Sequence, residues 1–193
     1  RGYVEEPNFG NVAIRYYYNR YHPLGISETN DLSLLLVIQF GQFKMMISGD
    51  LEAQGWDNML LNANFVRDLQ TTNIFVASHH GRLTGCHEGI FKLFKPEIVI
   101  ISDKSHEHDS QDTNSWYRNR CHGVPYLANP TESRYVLTTR NDGSMRIIAE
   151  TSGAWILGPL NHETWPLDYQ ETKHVPINKP HVVHDWNSYV NSL

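Results

Sequence analysis

The sequence predicts a layered α/β fold, and three observations lead to that prediction. Short runs of aliphatic, aromatic and β-branched residues at 43–48, 73–79 and 97–102 have the length and composition of buried strands. An amphipathic helical pattern lies between the first two runs. Each run ends at, or just before, an acidic residue or a histidine. Strands that alternate with helices are typical of α/β proteins.

The first part of the chain predicts three strands and one helix. Residues 12–18 are rich in aromatic and β-branched residues, as strands are. The apolar runs at 34–39 and 43–48 are separated by a short glycine-containing turn, so they predict a hairpin. Apolar residues then recur every three or four positions between 56 and 69, which predicts one amphipathic helix of about four turns.

The next part of the chain continues the alternation and then predicts a closing hairpin. The expected elements, in order, are a strand at 73–79, a short helix near 87–94, a strand at 97–102, a helix around 111–121, and strands at 134–139 and 144–149. The last two strands flank Asn-Asp-Gly at 141–143, a sequence that favours a tight hairpin turn. We therefore expect these two strands to pair with each other.

The character of the chain changes after residue 150. Residues 151–193 contain four prolines, three tryptophans and four histidines with little periodicity. We therefore predict a domain at 1–150 and an extended aromatic and proline-rich tail at 151–193. Because free disordered segments are poor in aromatic residues, we expect the tail to wrap the domain or a partner protein. The alternative is a substrate-binding or interface segment.

Composition and charge limit the remaining possibilities. None of the apolar runs approaches the roughly 20 residues of a membrane-spanning helix, and no signal peptide is visible, so we expect no membrane segment. The two cysteines lack CxxC spacing, which favours a reducing, cytoplasmic location. A net charge of −5 gives no general attraction to nucleic acid, although it does not exclude a local track of basic residues. The sequence begins at Arg1 rather than methionine, so we expect a preceding segment.

Polar side chains at the strand ends predict a metal-binding edge. They are Asp50, His79, His80, Asp103, His106 and His108. Imidazole and carboxylate groups are common ligands of divalent metals. Because successive side chains on a strand point to opposite faces, we expect only one of the two adjacent histidines to reach a given ion.

The ordered motifs resemble the second half of a metallo-β-lactamase-fold hydrolase. They are Asn-Asp-Leu-Ser at 30–33, Ser-Gly-Asp-Leu-Glu at 48–52, Ser-His-His-Gly at 78–81 and Val-Ile-Ile-Ser at 99–102. The resemblance covers about residues 12–150 and is nearest to the branch related to the C-terminal domain of the competence protein ComEC. It implies an αββα sandwich whose loops hold one or two metal ions at one edge.

The resemblance also implies roles for four residues. Asp50 matches a carboxylate that bridges two metals; its alternative role as a helix cap is disfavoured because it lies about five residues ahead of the expected helix. His79 and His80 match the His-His-Gly motif. We favour His79 as the ligand and keep His80 among the metal and catalytic residues as a supporting or substrate-facing group. Asn30 matches an Asn near the metals, with a turn residue as the alternative.

Three features depart from the family pattern. His106 and His108 lie where relatives carry Gly-His-Pro; we interpret His106 as substrate-binding and His108 as a ligand or general acid, with a solvated loop as the alternative. Arg82 replaces the usual Ser after His-His-Gly and could clamp a phosphate or be a surface charge. The signature motif His-x-His-x-Asp-His does not occur in these residues. The simpler account is that a missing N-terminal half supplies part of the metal shell; the alternative is a degenerate member of the family that binds no metal.

Together these expectations predict a metal-dependent hydrolase, with a phosphodiesterase or nuclease as the favoured activity. Two Zn²⁺ or Mn²⁺ ions sharing Asp50 would generate a hydroxide that attacks the substrate, with His80 and His108 assisting. The ComEC-like branch implies nucleic acid or nucleotide phosphodiesters, with service as a bacterial defence effector or DNA-processing protein as an extension. The alternatives are a non-catalytic assembly module that docks on a protein partner and a hydrolase of small esters or lactones.

Overall fold

A six-stranded sheet forms the centre of the molecule in the computed structural model, which describes residues 9–22, 25–105 and 111–161. The strands are β1 (Val12–Tyr17), β2 (Leu35–Phe40), β3 (Phe43–Ile47), β4 (Ile74–Val76), β5 (Ile98–Ile101), β6 (Val124–Tyr126), β7 (Asn129–Arg134), β8 (Val136–Thr138), β9 (Met145–Ala149) and β10 (Trp155–Pro159). The central sheet has the order β1-β2-β3-β4-β5-β8. Its first three strands are antiparallel and the rest parallel. The predicted α/β class is confirmed.

Strands β3, β4, β5 and β8 of the central sheet pack against apolar clusters on both faces. The helices are α1 (Ala53–Met59), α2 (Ala63–Gln70), α3 (Glu88–Leu93), α4 (Asn114–Arg118) and α5 (Thr139–Asp142). On one face, Val99 and Ile101 of β5 join a core that includes side chains of α1 to α4. On the other face, Ile98 and Ile100 pack in a second cluster with Leu157 of β10. This double burial explains why β5 is uniformly apolar rather than alternating.

The predicted four-turn helix at 56–69 is wrong, because two short helices occupy that stretch. α1 ends at Met59 and α2 begins at Ala63. The side chain of Asn62 accepts hydrogen bonds from the backbone N–H groups of Asn64 and Phe65, at 3.0 and 3.4 Å. A cap of this kind starts a new helix. The apolar period runs across the break because both helices pack against the same core.

Replacing Asn62 with alanine is expected to destabilise the protein by about 1 kcal/mol, since two N–H groups at the start of α2 would lose their side-chain acceptor. Urea unfolding followed by circular dichroism measures this change. Asn62→Asp is the matched control, because a carboxylate caps equally well and should keep the wild-type midpoint. Equal loss in both variants would contradict a capping role.

The predicted hairpin between 134–139 and 144–149 is also wrong. β8 pairs parallel with β5 inside the central sheet, whereas β9 pairs with β10. Asn141 and Asp142 lie in α5, and Gly143 (φ 68°) ends this helix in a left-handed conformation. The side chain of Asp142 accepts from the Thr138 N–H at 2.8 Å and from Arg134 at 2.7 Å. Local contacts within the turn therefore favour a helix over a hairpin.

Ordered structure continues beyond residue 150. β10 lies inside the stretch expected to be a tail, and its Leu157 is completely buried. β6 and β7 form a further hairpin that the sequence did not predict. Residues 162–193 lie outside the described residues, so the rest of the tail stays a prediction. None of the helices in the described part of the chain is both long and apolar enough to cross a membrane.

Asp68 of α2 is the centre of a buried charge network under β1. Its carboxylate accepts from Arg15 Nε and Nη2, both at 2.7 Å, from Lys44 Nζ at 2.9 Å and from the Tyr17 hydroxyl at 2.8 Å. Burial alone would raise the pKa of Asp68, but the hydrogen bonds from Arg15, Lys44 and Tyr17 outweigh it and lower the pKa to about 2. Burial and the contact with Asp68 raise the pKa of Tyr17 to about 12. The network fixes α2 against β1 and β3.

Candidate functional site

The carboxyl ends of β3 and β4 bring Asp50 and the two adjacent histidines to one edge of the sheet. The register pairs Ile47 of β3 with Val76 of β4 and Val76 with Ile100 of β5. Parallel strands in register end side by side, and ligand sites of α/β proteins lie outside such ends. The segments that follow β3 and β4 therefore meet at this edge, as predicted from the sequence.

His79 and His80 lie in a turn rather than on a strand. β4 ends at Val76, and the two histidines have left-handed φ values of 50° and 54°. A positive φ is uncommon for residues other than glycine, and it marks a conformation that the surroundings enforce. The expectation that the pair alternates on a strand is therefore wrong. The two side chains contact different partners.

The turn is attached directly to the loop that carries Asp50. The His79 N–H donates to the Gly49 carbonyl at 3.0 Å, and the Ser78 hydroxyl donates to the Leu51 carbonyl at 2.6 Å. Gly81 has φ 70°, and a side chain there would lie only 2.8 Å from Ile101. The glycine of the His-His-Gly motif is thus required by both backbone conformation and space.

His80 faces Asp50 across a short gap. Its Nε2 lies 3.7 Å from Asp50 Oδ1, and its Nδ1 lies 2.7 Å from the carbonyl oxygen of Ser102. Because a carbonyl can only accept, Nδ1 must carry a proton, and in the neutral ring Nε2 then holds the free lone pair. Metal-binding histidines commonly have this arrangement, in which the second ring nitrogen donates to a carbonyl. Both side chains are about half exposed, so a ligand can reach them.

His79 points to a separate group of residues. Its Nδ1 lies 2.8 Å from Glu52 Oε1 and 2.9 Å from the hydroxyl oxygen of Thr84. The same Glu52 oxygen accepts from Asn30 Nδ2 at 3.3 Å. Sequence reasoning placed Asn30 near the site but missed Glu52 and Thr84. The nearest signal was the position of Glu52, two residues after Asp50.

Two polar side chains from the segment before β2 hold the backbone of the loop that bears Asp50. The Asp50 N–H donates to the Ser33 hydroxyl at 3.0 Å, and the Glu52 N–H donates to Asp31 Oδ1 at 2.9 Å. Asp31 is only 2% exposed. α1 begins at Ala53 without a side-chain cap, so the Asp50 carboxylate does not serve as one. That carboxylate is left to face His80.

The remaining predicted residues are less closely associated with this edge. Asp103, which follows β5, is buried and bonded to Arg140 Nη1 at 2.5 Å, so its carboxylate is directed into the protein rather than to the other two strand ends. Arg82 is half-buried, and within the described ranges its guanidinium has no hydrogen bond to Asp50 or His80. His106 and His108 lie outside the described residues, so their roles stay predictions.

Asp50 and His80 could supply two ligands to a divalent cation, which is part of a coordination shell. A hard carboxylate oxygen and an imidazole nitrogen with a fixed tautomer are suitable ligands. Among residues 9–22, 25–105 and 111–161, however, no group of three or more His, Cys, Asp or Glu side chains is placed to hold an ion. A cation bound by Asp50 and His80 would therefore need further ligands from outside these ranges.

Comparison with protein-family models gives no match for this chain, and comparison with curated protein sequences gives none either. The metallo-β-lactamase resemblance accordingly stays a prediction from the motifs. The structure defines a mixed α/β protein with an Asp and His pair at the carboxyl ends of adjacent parallel strands.

Proposed function

We propose that the protein is a metal-dependent hydrolase that acts on phosphodiesters. The observation that carries the proposal is the juxtaposition of Asp50 Oδ1 and His80 Nε2 at 3.7 Å, with His80 Nδ1 fixed by a backbone carbonyl. Two lone-pair donors facing each other on an accessible edge suit a shared cation better than a direct hydrogen bond, which needs a shorter distance. The hydrolase class is supported by the order of the sequence motifs around the pair, which resembles that of metallo-β-lactamase-fold hydrolases.

The roles of the chain's own residues follow from this pair. Asp50 and His80 hold the cation. The Ser33 hydroxyl fixes the backbone of Asp50, and the Ser102 carbonyl orients the His80 ring. A divalent cation there would lower the pKa of water and offset the negative charge of a phosphodiester. Arg82 is the candidate phosphate contact, and His106 and His108 are candidates for completing the shell or protonating a leaving group.

The geometry supports His80, rather than His79, as the first ligand. His80 Nε2 faces Asp50, whereas the recorded contacts of His79 are with Glu52 and Thr84. This reverses the order favoured on the sequence alone. His80→Ala should therefore lower the metal content more than His79→Ala does, and the opposite ranking would restore the original preference.

The proposal is tested by metal analysis and by hydrolysis of a phosphodiester. The protein, purified without chelators and supplied with Zn²⁺ or Mn²⁺, should bind the cation and cleave bis(p-nitrophenyl) phosphate or single-stranded DNA. EDTA should abolish cleavage, and the added metal should restore it. If the protein neither binds metal nor cleaves these substrates under any of these conditions, the proposal of a metal-dependent hydrolase is rejected. The alternative of a non-catalytic assembly module would then replace it.

A further inference from the structure

Glu52 connects three segments of the site, although the sequence assigned it no role. Its Oε1 lies 2.8 Å from His79 Nδ1 in the turn after β4 and accepts from Asn30 Nδ2 at 3.3 Å in the turn before β2. Its own backbone follows Asp50 and is bonded to the buried Asp31. A change at Glu52 would therefore affect the turn and the loop together.

The contacts of His79 determine which of its ring nitrogens carries the proton. An ionised carboxylate oxygen 2.8 Å from Nδ1 attracts a proton on that nitrogen and repels a lone pair there, so Glu52 favours the Nδ1–H form of the ring. The Thr84 hydroxyl at 2.9 Å can either accept from Nδ1 or donate to it. The hydrogen bond with Thr84 therefore permits both tautomers, whereas the negative charge of Glu52 beside Nδ1 favours one. With Nδ1 protonated, Nε2 of the neutral ring is left with a lone pair.

We propose that Glu52 is a positioning residue of the site. It holds His79 as the Nδ1–H tautomer and thereby ties the turn that carries His80 to the loop that carries Asp50. The tautomer assignment stands on the contacts of His79 alone. The consequence for cation binding rests on the proposed function, because it requires Asp50 and His80 to share an ion.

Nitrogen NMR of the histidine rings tests the tautomer directly. In ¹⁵N-histidine-labelled protein, long-range ¹H–¹⁵N correlations distinguish Nδ1–H from Nε2–H, and loss of the signal in His79→Gln assigns it. We expect Nδ1–H in the wild type and a shift towards Nε2–H in Glu52→Ala, where Thr84 becomes free to donate to Nδ1. An Nε2–H wild type, or an unchanged tautomer in Glu52→Ala, would overturn the proposal.

Two further variants separate positioning from simple damage to the fold. In Glu52→Gln, donation by Asn30 Nδ2 keeps the amide oxygen towards His79, so the Nδ1–H tautomer should be retained. In Thr84→Val, the Glu52 carboxylate still lies beside Nδ1, and the tautomer should again be unchanged. A shift in Thr84→Val equal to that in Glu52→Ala would show that Thr84, not Glu52, makes the choice and would overturn the proposal.

Zn²⁺ titration by calorimetry tests whether Glu52 affects cation binding by Asp50 and His80. Loss of an outer-shell partner typically weakens metal binding about 10- to 100-fold, so Glu52→Ala should fall in that range and Glu52→Gln should stay near the wild type. A changed tautomer with unchanged affinity would overturn the positioning role. If the wild type binds no Zn²⁺ while the tautomers behave as expected, the proposed function fails and the tautomer assignment is supported.

Discussion

Replacing Asp50 with alanine is expected to remove divalent-cation binding and the metal-dependent cleavage that follows from it. The affinity should fall by more than about 100-fold, because losing a ligand costs more than losing an outer-shell partner. The fold should be nearly unaffected. The Asp50 side chain is 43% exposed, and within the described ranges its carboxylate accepts no hydrogen bond; His80 Nε2 lies 3.7 Å away. Substitutions at such positions usually change the free energy of unfolding by about 0.5 kcal/mol or less.

The chain offers a matched control for this experiment. Asp57 and His87 form another carboxylate–imidazole pair, with Oδ1 and Nε2 3.0 Å apart, and the Asp57 side chain is 73% exposed. Asp57 lies in α1, and its partner His87 immediately precedes α3. Asp57→Ala should leave metal content and cleavage unchanged, as measured by elemental analysis and by phosphodiester hydrolysis. Wild-type metal content in Asp50→Ala, or equal loss in both variants, would contradict the assignment of the site.

The position of the site could be predicted because it depends on where strands end. Apolar runs of four to six residues mark the buried strands, and the polar residues after them must lie at the sheet edge. Asp50 and the histidine pair were found in this way. The same reasoning wrongly placed the Asp103 carboxylate at this edge. It bonds instead to Arg140, 37 residues further along the chain, and no pattern in the sequence indicates that pairing.

The orientation of side chains within the site could not be predicted. Adjacent strand residues alternate between faces, but the left-handed backbone of His79 and His80 follows from contacts of the turn with Gly49, Leu51 and Ile101. Those contacts join segments about 20 to 30 residues apart in the chain, and local propensity does not encode them.

The two errors in the fold have a common physical origin. In each case a local pattern did not determine how the segments on its two sides are arranged. Asn62 interrupts the helical pattern with a cap, although the apolar period continues because α1 and α2 share one core. Asn141-Asp142-Gly143 does end an element, but β8 finds its partner in β5 and not in the following strand. Pairing between strands is a non-local choice that turn residues alone do not fix.

Replacing Asp68 with alanine is expected to give the largest loss of stability, about 3 kcal/mol. Removing one partner of a buried ion pair leaves the other charge without compensation. Lys44 is only 7% exposed, and of the hydrogen bonds that its ammonium group makes to described residues it would keep the one with Thr71. Arg15 and Tyr17 would lose their shared acceptor as well. Urea unfolding at neutral pH measures the change.

A double variant separates the cost of the unpaired charge from the cost of lost packing. Lys44→Met with Asp68→Leu removes both buried charges at similar volume, so it should be less destabilised than Asp68→Ala. Arg15 can turn to solvent because its side chain is 36% exposed. If the double variant is destabilised as much as Asp68→Ala, packing around α2 and not the buried charge explains the loss.

The same network predicts how stability depends on acid. The pKa of Asp68 is lowered to about 2 in the folded state, against about 3.9 for an unperturbed aspartate. The unfolded chain therefore binds more protons between these values, and stability present above pH 4 is lost as the pH falls towards 2. Because water partly screens the pair, this contribution is about 1 to 2 kcal/mol. Urea midpoints between pH 5 and pH 2 should fall more steeply for the wild type than for the double variant, which lacks Asp68. Parallel profiles would show that other carboxylates cause the acid sensitivity.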